Sequence, residues 1–299
     1  MGPCLQAAGR RVNRAGVIDD FEGTAGPLAL PACPQGRLEM IENWKKLADA
    51  GDLLYTWTLR ELKVRYAGSL LGLAWTVVYP LALLLVSTMM FAWFLRVPTQ
   101  GIPPALFLYC GLTPWLFSNN AIQSSAFALF ANLQLIKNAS FPREILPLAT
   151  LFVGAVDFAV SSLLLAGMVL YYRLPVGITL VLVPVLVVIQ FMLTLALSLF
   201  VSASLVFFRD IRFLVPIAMQ LLMYLSPVFY PIDLVPKRGR FWYLLNPFAA
   251  LIDAYRRVIL FRSWPAWQPL LWAAVVSVVA LVAAYVHFKR VEWEFADRI

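Results

Sequence analysis

VGITLVLVPVLVVIQFMLTLALSLFVSASLVFF, residues 176–208, runs for 33 residues without a charged side chain. A helix that crosses the hydrocarbon core of a bilayer needs about 20 mostly apolar residues. At 1.5 Å per residue this run would reach about 50 Å, too long for one flat span and too short for two with a turn between them. One tilted or cytosol-extended helix, kinked at Pro184, is the economical expectation.

The rest of the chain keeps that character. Of 299 residues 62% are hydrophobic and 13% charged, with a mean hydropathy of +0.79. A soluble domain is about 45–50% apolar and about 25% charged. A soluble enzyme, a disordered protein and a disulfide scaffold are therefore excluded, and an all-α integral membrane protein is expected. Cys4, Cys33 and Cys110 give neither a disulfide framework nor a zinc spacing. His287 is the sole histidine, so neither a metal site nor a histidine triad is expected. The net charge of +8 reads as topological rather than as a nucleic-acid footprint.

Five further runs qualify as spans: 71–95, 105–130, 146–172, 213–232 and 268–288. With 176–208 they make six transmembrane helices. Residues 1–40 hold Arg10, Arg11 and Arg14 among Gly and Pro, with no apolar run long enough for a signal peptide. They are expected as a mobile cytosolic tail, 41–70 as an interfacial region, 71–290 as the six-span domain and 291–299 as a second cytosolic tail. FWYLLNPFAALIDAYRRVILF (241–261) contains Asn246-Pro247, Asp253, Arg256 and Arg257. Each charge near a bilayer centre costs about 2.5–3.5 kcal/mol on insertion scales, so a re-entrant or interfacial hairpin between spans five and six is expected on the outer side.

Six spans place both termini on one side. Sixteen of the 24 Lys and Arg residues fall on that side, which makes it cytosolic. Lys237, Arg238, Arg240, Arg256, Arg257 and Arg262 lie outside. Snorkelling to headgroups is the plain explanation; contact with an anionic substrate on its way out is the sharper one.

DLLYTWTLRELKVRY (52–66) precedes the first span. Tyr55, Leu59, Leu62 and Tyr66 form an apolar stripe; Thr56, Arg60 and Lys63 form a polar one. Glu61 and Arg65 stand at i, i+4. Such a helix lies in the headgroup plane, and Arg60, Lys63 and Arg65 suit the uptake of a lipid phosphate from the cytosolic leaflet.

The chain contains no Gly-Lys dipeptide, hence no phosphate-cradling P-loop, and no H-E-x-x-H or G-x-S-x-G motif. No catalytic residue is expected. Asp157 is the only acid well inside a span, a weak basis for ion coupling; a packed, hydrogen-bonded role fits it better. Aromatic residues are plentiful instead: Trp75, Tyr79, Tyr109, Trp115, Phe117, Tyr224 and Tyr230. Most membrane aromatics serve packing or interfacial belts. Trp75 and Tyr79 nevertheless share a face, as do Tyr109, Thr113 and Phe117, and stacked rings with hydroxyls would let a glycan slide without a tight minimum.

LKVRYAGSLLGLAWTVVYPL (62–81), LTPWLFSNNAI (112–122), LIKNASFPREILPLA (135–149), FFRDIRFLVP (207–216), YLSPVFYP (224–231) and NPFAALIDAYRRVIL (246–260) occur in this order. Together they resemble the transmembrane subunits of type 2 ABC exporters for O-antigen, capsule and teichoic acid. The resemblance implies a homodimer on two P-loop ATPase subunits in the bacterial plasma (inner) membrane. ATP and Mg would be bound by those partners, with no cofactor in this chain. The cargo would be a polysaccharide linked to undecaprenyl pyrophosphate or a related lipid, moved through a channel lined by the seven aromatics; membrane lipids are partners and nucleic acid is not.

In that picture Leu135, Ile136, Lys137, Asn138, Phe141, Pro142, Arg143 and Glu144 match the coupling helix that docks on the ATPase. Arg209, Asp210 and Arg212 match a second cytosolic contact, and Asn246 to Ile259 the hairpin that closes the outer side. Two alternatives stand beside it: a permease of the same fold for a small molecule or drug, and a membrane transferase acting on lipid-linked sugar. The transferase would need acid/base groups near the surface, which this chain does not offer.

Overall fold

A computed structural model describes residues 35–67, 72–132, 142–175 and 177–292. The chain divides into two units, 1–45 and 46–299. Of the first, only the opening turns of α1 are among the described residues. The interactions reported below belong to the second unit.

Nine helices of the described residues carry the fold. They are α1 (Gln35–Tyr66), α2 (Trp75–Thr88), α3 (Pro104–Ala131), α4 (Ile145–Tyr171), α5 (Val183–Phe207), α6 (Ile211–Tyr224), α7 (Lys237–Leu244), α8 (Pro247–Ile259) and α9 (Trp267–Val291). No strand occurs among the described residues. α1 starts inside the stretch 1–40 that was expected to be a tail and continues through the amphipathic segment. α2 passes at Met89 into a π-helical stretch that ends at Phe94.

Among the described residues three helices are long and apolar enough to cross a membrane: α4, α9 and the Ile178–Phe207 unit that ends in α5. α2 and α6 are apolar but shorter. α3 has the length, 28 residues, yet Ser118, Asn119, Asn120, Gln123, Ser124 and Ser125 dilute its hydropathy. Two expectations need correction. Pro184 does not kink a continuous helix: Ile178–Leu182 is 3₁₀, and α5 begins after it with Pro184 in its first turn, where a missing N–H is no loss. The run 213–232 is not one continuous helix either. α6 ends at Tyr224, about 21 Å of helix, because Pro227 and Pro231 cannot donate to a helical ladder.

α3 is the central helix and packs against α2, α4, α5, α6 and α8. Every residue from Leu106 to Ser118 is buried. Where no water enters, helices are joined by close packing and interhelical hydrogen bonds. Gln190 of α5 donates to the Pro114 carbonyl at 2.6 Å and to Ser118 Oγ at 3.2 Å. The Ser118 and Thr194 hydroxyls are 2.9 Å apart, and those of Ser125 and Thr150 are 2.7 Å apart. These bonds seat α3 between α4 and α5. α9 closes the other side of α5 and also touches α8.

Candidate functional site

A cavity of about 460 Å³ opens where α1, α2, α3 and α4 meet. Its wall on α2 is Trp75, Thr76, Tyr79 and Pro80; α3 contributes Phe117, Asn120, Gln123 and Ser124. Trp75 and Tyr79 are 48% and 51% exposed, one turn apart on one face as expected. Gln123 Nε2 donates to Asn119 Oδ1 at 2.7 Å, which holds one amide of the α3 wall in place. Ring faces, amides and hydroxyls on one concave surface suit a polyhydroxylated ligand. The sequence reading named the aromatic half of this wall. It missed Asn120, Gln123 and Ser124, whose signal is a polar cluster inside an apolar helix.

Asp157 lies on the α4 side of this cavity and is held from α1. Arg65 Nη1 donates to Asp157 Oδ2 at 2.7 Å, the Tyr66 hydroxyl donates to Oδ1 at 2.7 Å, and Arg65 Nη2 reaches Ser124 Oγ at 3.1 Å. The acid has the hydrogen-bonded role that the sequence favoured. Arg65 pairs with it rather than with Glu61. Burial first, and then the bond to Asp157, push the Tyr66 phenol up to about 12. Its contribution is therefore complete below pH 10 and lost as the pH rises through about 12. Asp157→Ala should weaken the attachment of α1 by about 1–2 kcal/mol, the range for charged hydrogen bonds that are partly solvated. Trypsin cleavage after Lys63 and Arg65 in membranes should then accelerate; an unchanged rate would refute the tether.

The three basic residues proposed for a lipid phosphate are thus not equivalent. Arg65 is committed to Asp157. Arg60 lies 4.4 Å over the Trp57 ring and reaches Asn132 Oδ1 at 3.4 Å, while Lys63 is exposed. On α1, Tyr55 and Leu59 are exposed, and Trp57 packs on a buried cluster that includes Leu129 and Phe288.

The seven aromatics divide in the same way. Trp75, Tyr79 and Phe117 line the cavity, and Tyr224 is exposed at the end of α6. Tyr109 and Trp115 do not line it. They are 0% and 2% exposed within one subunit, because α3 is central, and Trp115 packs edge-on to Phe248 at 5.6 Å. Tyr230 donates to the Tyr224 carbonyl at 2.7 Å and lies 3.0 Å from the Tyr243 hydroxyl.

Of the coupling segment, Leu135, Ile136, Lys137, Asn138 and Phe141 lie outside the described residues. Pro142 is exposed. Arg143 and Glu144 are tied to the end of α9: Arg143 donates to the Glu292 carbonyl, and Lys289 bridges Glu144 at 2.8 Å and Glu292 at 3.0 Å. Arg209, Asp210 and Arg212 are exposed at the α5–α6 turn, with Arg212 over the Phe213 ring.

On α8, Arg256 has a role the sequence did not reveal. It is buried and does not snorkel. Nη1 donates to the Pro227 carbonyl at 2.5 Å and to that of Tyr230 at 2.9 Å; Nη2 donates to Val228 at 2.6 Å. Asn246 caps α8 through Phe248 N at 3.0 Å and gives its amide to Ser226 Oγ at 2.9 Å and the Leu225 carbonyl at 3.2 Å. Two side chains thus satisfy the carbonyls of the irregular segment after α6, the condition for non-helical backbone at membrane depth. Asp253 and Arg257 neutralise one another at 2.6 Å, which makes a charged α8 compatible with burial.

The family model described as ABC-2 type transporter matches residues 52–260. The O-antigen export system permease protein RfbA of Myxococcus xanthus is 32% identical over 264 residues, which cover 87% of this chain and 100% of that protein. RfbA of Klebsiella pneumoniae is 26% identical over 247 residues, 82% and 94% of the two chains. The polysialic acid transport protein KpsM of Escherichia coli is 23% identical over 210 residues, 68% and 79%. With its apolar helices and a family match over most of its length, this chain is a multi-pass membrane protein that belongs to the ABC-2 type transporter family.

Proposed function

We propose that this chain is the transmembrane subunit of an ATP-driven exporter of lipid-linked polysaccharide. The observation that carries the reading is the similarity to an O-antigen export permease over that protein's full length. The cavity of Trp75, Tyr79, Asn120 and Gln123 adds support, since stacking faces and amides suit sugar rings. α2 with its π-helical end, α3, α4, the 178–207 unit, α6 and α9 serve as the six spans, and α7–α8 as the outer hairpin. Two copies assemble on two P-loop ATPase subunits in the bacterial plasma membrane, with both termini cytosolic. ATP and Mg belong to those partners. The exposed pair Arg209 and Asp210 with Arg212, and the segment from Leu135 to Glu144, dock them.

Depleting this chain in its native cell should leave completed lipid-linked glycan accessible only from the cytosolic face. Glycan that still reaches the outer face in depleted cells would refute the reading. Reporter fusions should place residues 40, 140 and 295 in the cytosol and residues 100 and 240 outside. An outer C-terminus would mean that 241–261 crosses the membrane.

A further inference from the structure

A groove of about 480 Å³ runs between α4 and the 178–207 unit and has no part in the coupling, uptake or channel roles described so far. Ala159, Ser162 and Ala166 of α4 line it together with Leu180, Val183 and Val187, and residues of α3 and α8 complete it. Its wall holds no charged side chain. From Phe158 to Leu170 it follows α4 for about 18 Å, the reach of a fatty acyl chain rather than of a compact solute. Leu170 is 70% exposed, so the groove is open along two helices long and apolar enough to cross a membrane.

An apolar wall does not by itself select a lipid, because hydrocarbon is available throughout a bilayer and only packing tells one chain from another. The selecting feature stands at the end of the groove. Leu170 and Ile259 line it, and each is followed three residues later by an exposed arginine, Arg173 and Arg262. Neither guanidinium has an ion-pair or hydrogen-bond partner among the described residues. The two segments meet: Thr179 Oγ1 donates to the Val258 carbonyl at 2.9 Å, and a Cβ on Gly177 would stand 3.1 Å from the Arg262 stem. Both arginines have a left-handed backbone, with φ of 52° and 51°. Glycine is the easier residue in that conformation, yet each position carries a cation.

We propose that the groove binds one anionic phospholipid, with an acyl chain against Ala166 and Val183 and the headgroup phosphate against Arg173 and Arg262. The proposal goes beyond the export reading and holds whatever the cargo is. Thr113 and Phe158 line both this groove and the Trp75–Tyr79 cavity, so the test reads positions that line the groove alone.

Photolabelling of the complete transporter in phosphatidylcholine nanodiscs tests this. The probe is trace phosphatidylglycerol with a diazirine in one acyl chain, and mass spectrometry maps the adducts. They should fall on residues 166–170 and 180–187. Unlabelled phosphatidylglycerol should suppress them roughly twentyfold better than phosphatidylcholine, about fivefold for each arginine beside an anionic headgroup. Arg173→Gln with Arg262→Gln should erase that preference, whereas Arg60→Gln with Lys63→Gln should leave it intact. Ala166→Phe, which fills the groove, should remove the adducts; Leu163→Phe, at an exposed position of the same helix, should keep them. Equal suppression by the two lipids would mean ordinary bilayer contact and would overturn the site. Adducts that survive Ala166→Phe, or that excess inorganic phosphate abolishes, would do the same. Stronger competition by undecaprenyl phosphate than by phosphatidylglycerol would make the groove a cargo path and overturn it too. So would a lack of adducts at these positions, the result expected if a second copy of this chain covers them.

Discussion

Arg256→Met should destabilise the protein by about 3–5 kcal/mol, because it leaves three buried carbonyls unsatisfied at about 1–3 kcal/mol each, with some relaxation. The carbonyls belong to Pro227, Val228 and Tyr230, in a segment whose prolines cannot complete a helix. Water is the ordinary substitute, but Arg256 is buried and its guanidinium lies 3.8 Å from the Phe107 ring, so methionine would bring an apolar chain where donors are required. Arg256→Lys should recover little, since one ammonium cannot reproduce the planar fork that reaches three acceptors. Gly111→Ala attacks the same junction from α3. A methyl there would stand 2.7 Å from Arg256 Nη2 and 2.8 Å from the Val228 carbonyl oxygen. The oxygen is backbone and the guanidinium is pinned, so neither can yield cheaply, and roughly 1–3 kcal/mol is expected. Arg257→Ala, which breaks one half-buried i, i+4 pair and leaves the Asp253 carboxylate without its partner, should cost about 1 kcal/mol, less than Arg256→Met. Melting temperatures of the detergent-purified protein separate these cases. Arg256→Met or Gly111→Ala melting with the wild type would refute the junction.

Phe141→Asp should abolish glycan export, by an order of magnitude or more, while ATP hydrolysis by the assembled complex continues. The expectation belongs to the docking reading of residues 135–144. A carboxylate forced into an apolar groove must give up its hydration with no partner, a loss of several kcal/mol, and each 1.4 kcal/mol is tenfold in occupancy. What makes the segment suited to passing motion on is the attachment that follows it. Arg143 and Glu144 are joined to Glu292 and Lys289, so displacement of the segment would pull on the start of α4 and the end of α9 together. Phe141→Leu should retain export, because the apolar contact survives. Export at the wild-type rate by an assembled Phe141→Asp complex would exclude docking through this residue.

Helix positions were legible where the determining property is one-dimensional. Apolar length bounds α3, α4 and α9 within a few residues of the spans read from the sequence, because desolvation cost is summed along the chain. The same holds for the hairpin, where Asn246-Pro247 carries its own capping chemistry, an acceptor for Phe248 N and a ring suited to the first helical position. Pro184 misled for a related reason: a proline starts a helix as readily as it kinks one, and only the 3₁₀ turn before it decides which.

By itself, then, the sequence determined that this is an all-helical membrane protein, where its long apolar helices lie, and the family to which it belongs. It could not determine which side chains are available. Tyr109 and Tyr79 look alike in a string of apolar residues, yet one is enclosed because α3 is surrounded by five helices and the other lines a cavity on α2. Arg65 and Asp157 are 92 positions apart, and Arg256 lies 26 to 29 positions from its carbonyls. Their pairing follows from the low dielectric between packed helices, where every charge and every broken carbonyl must find a partner. Which partner it finds is a matter of three-dimensional proximity, and that exists only once the helices have packed.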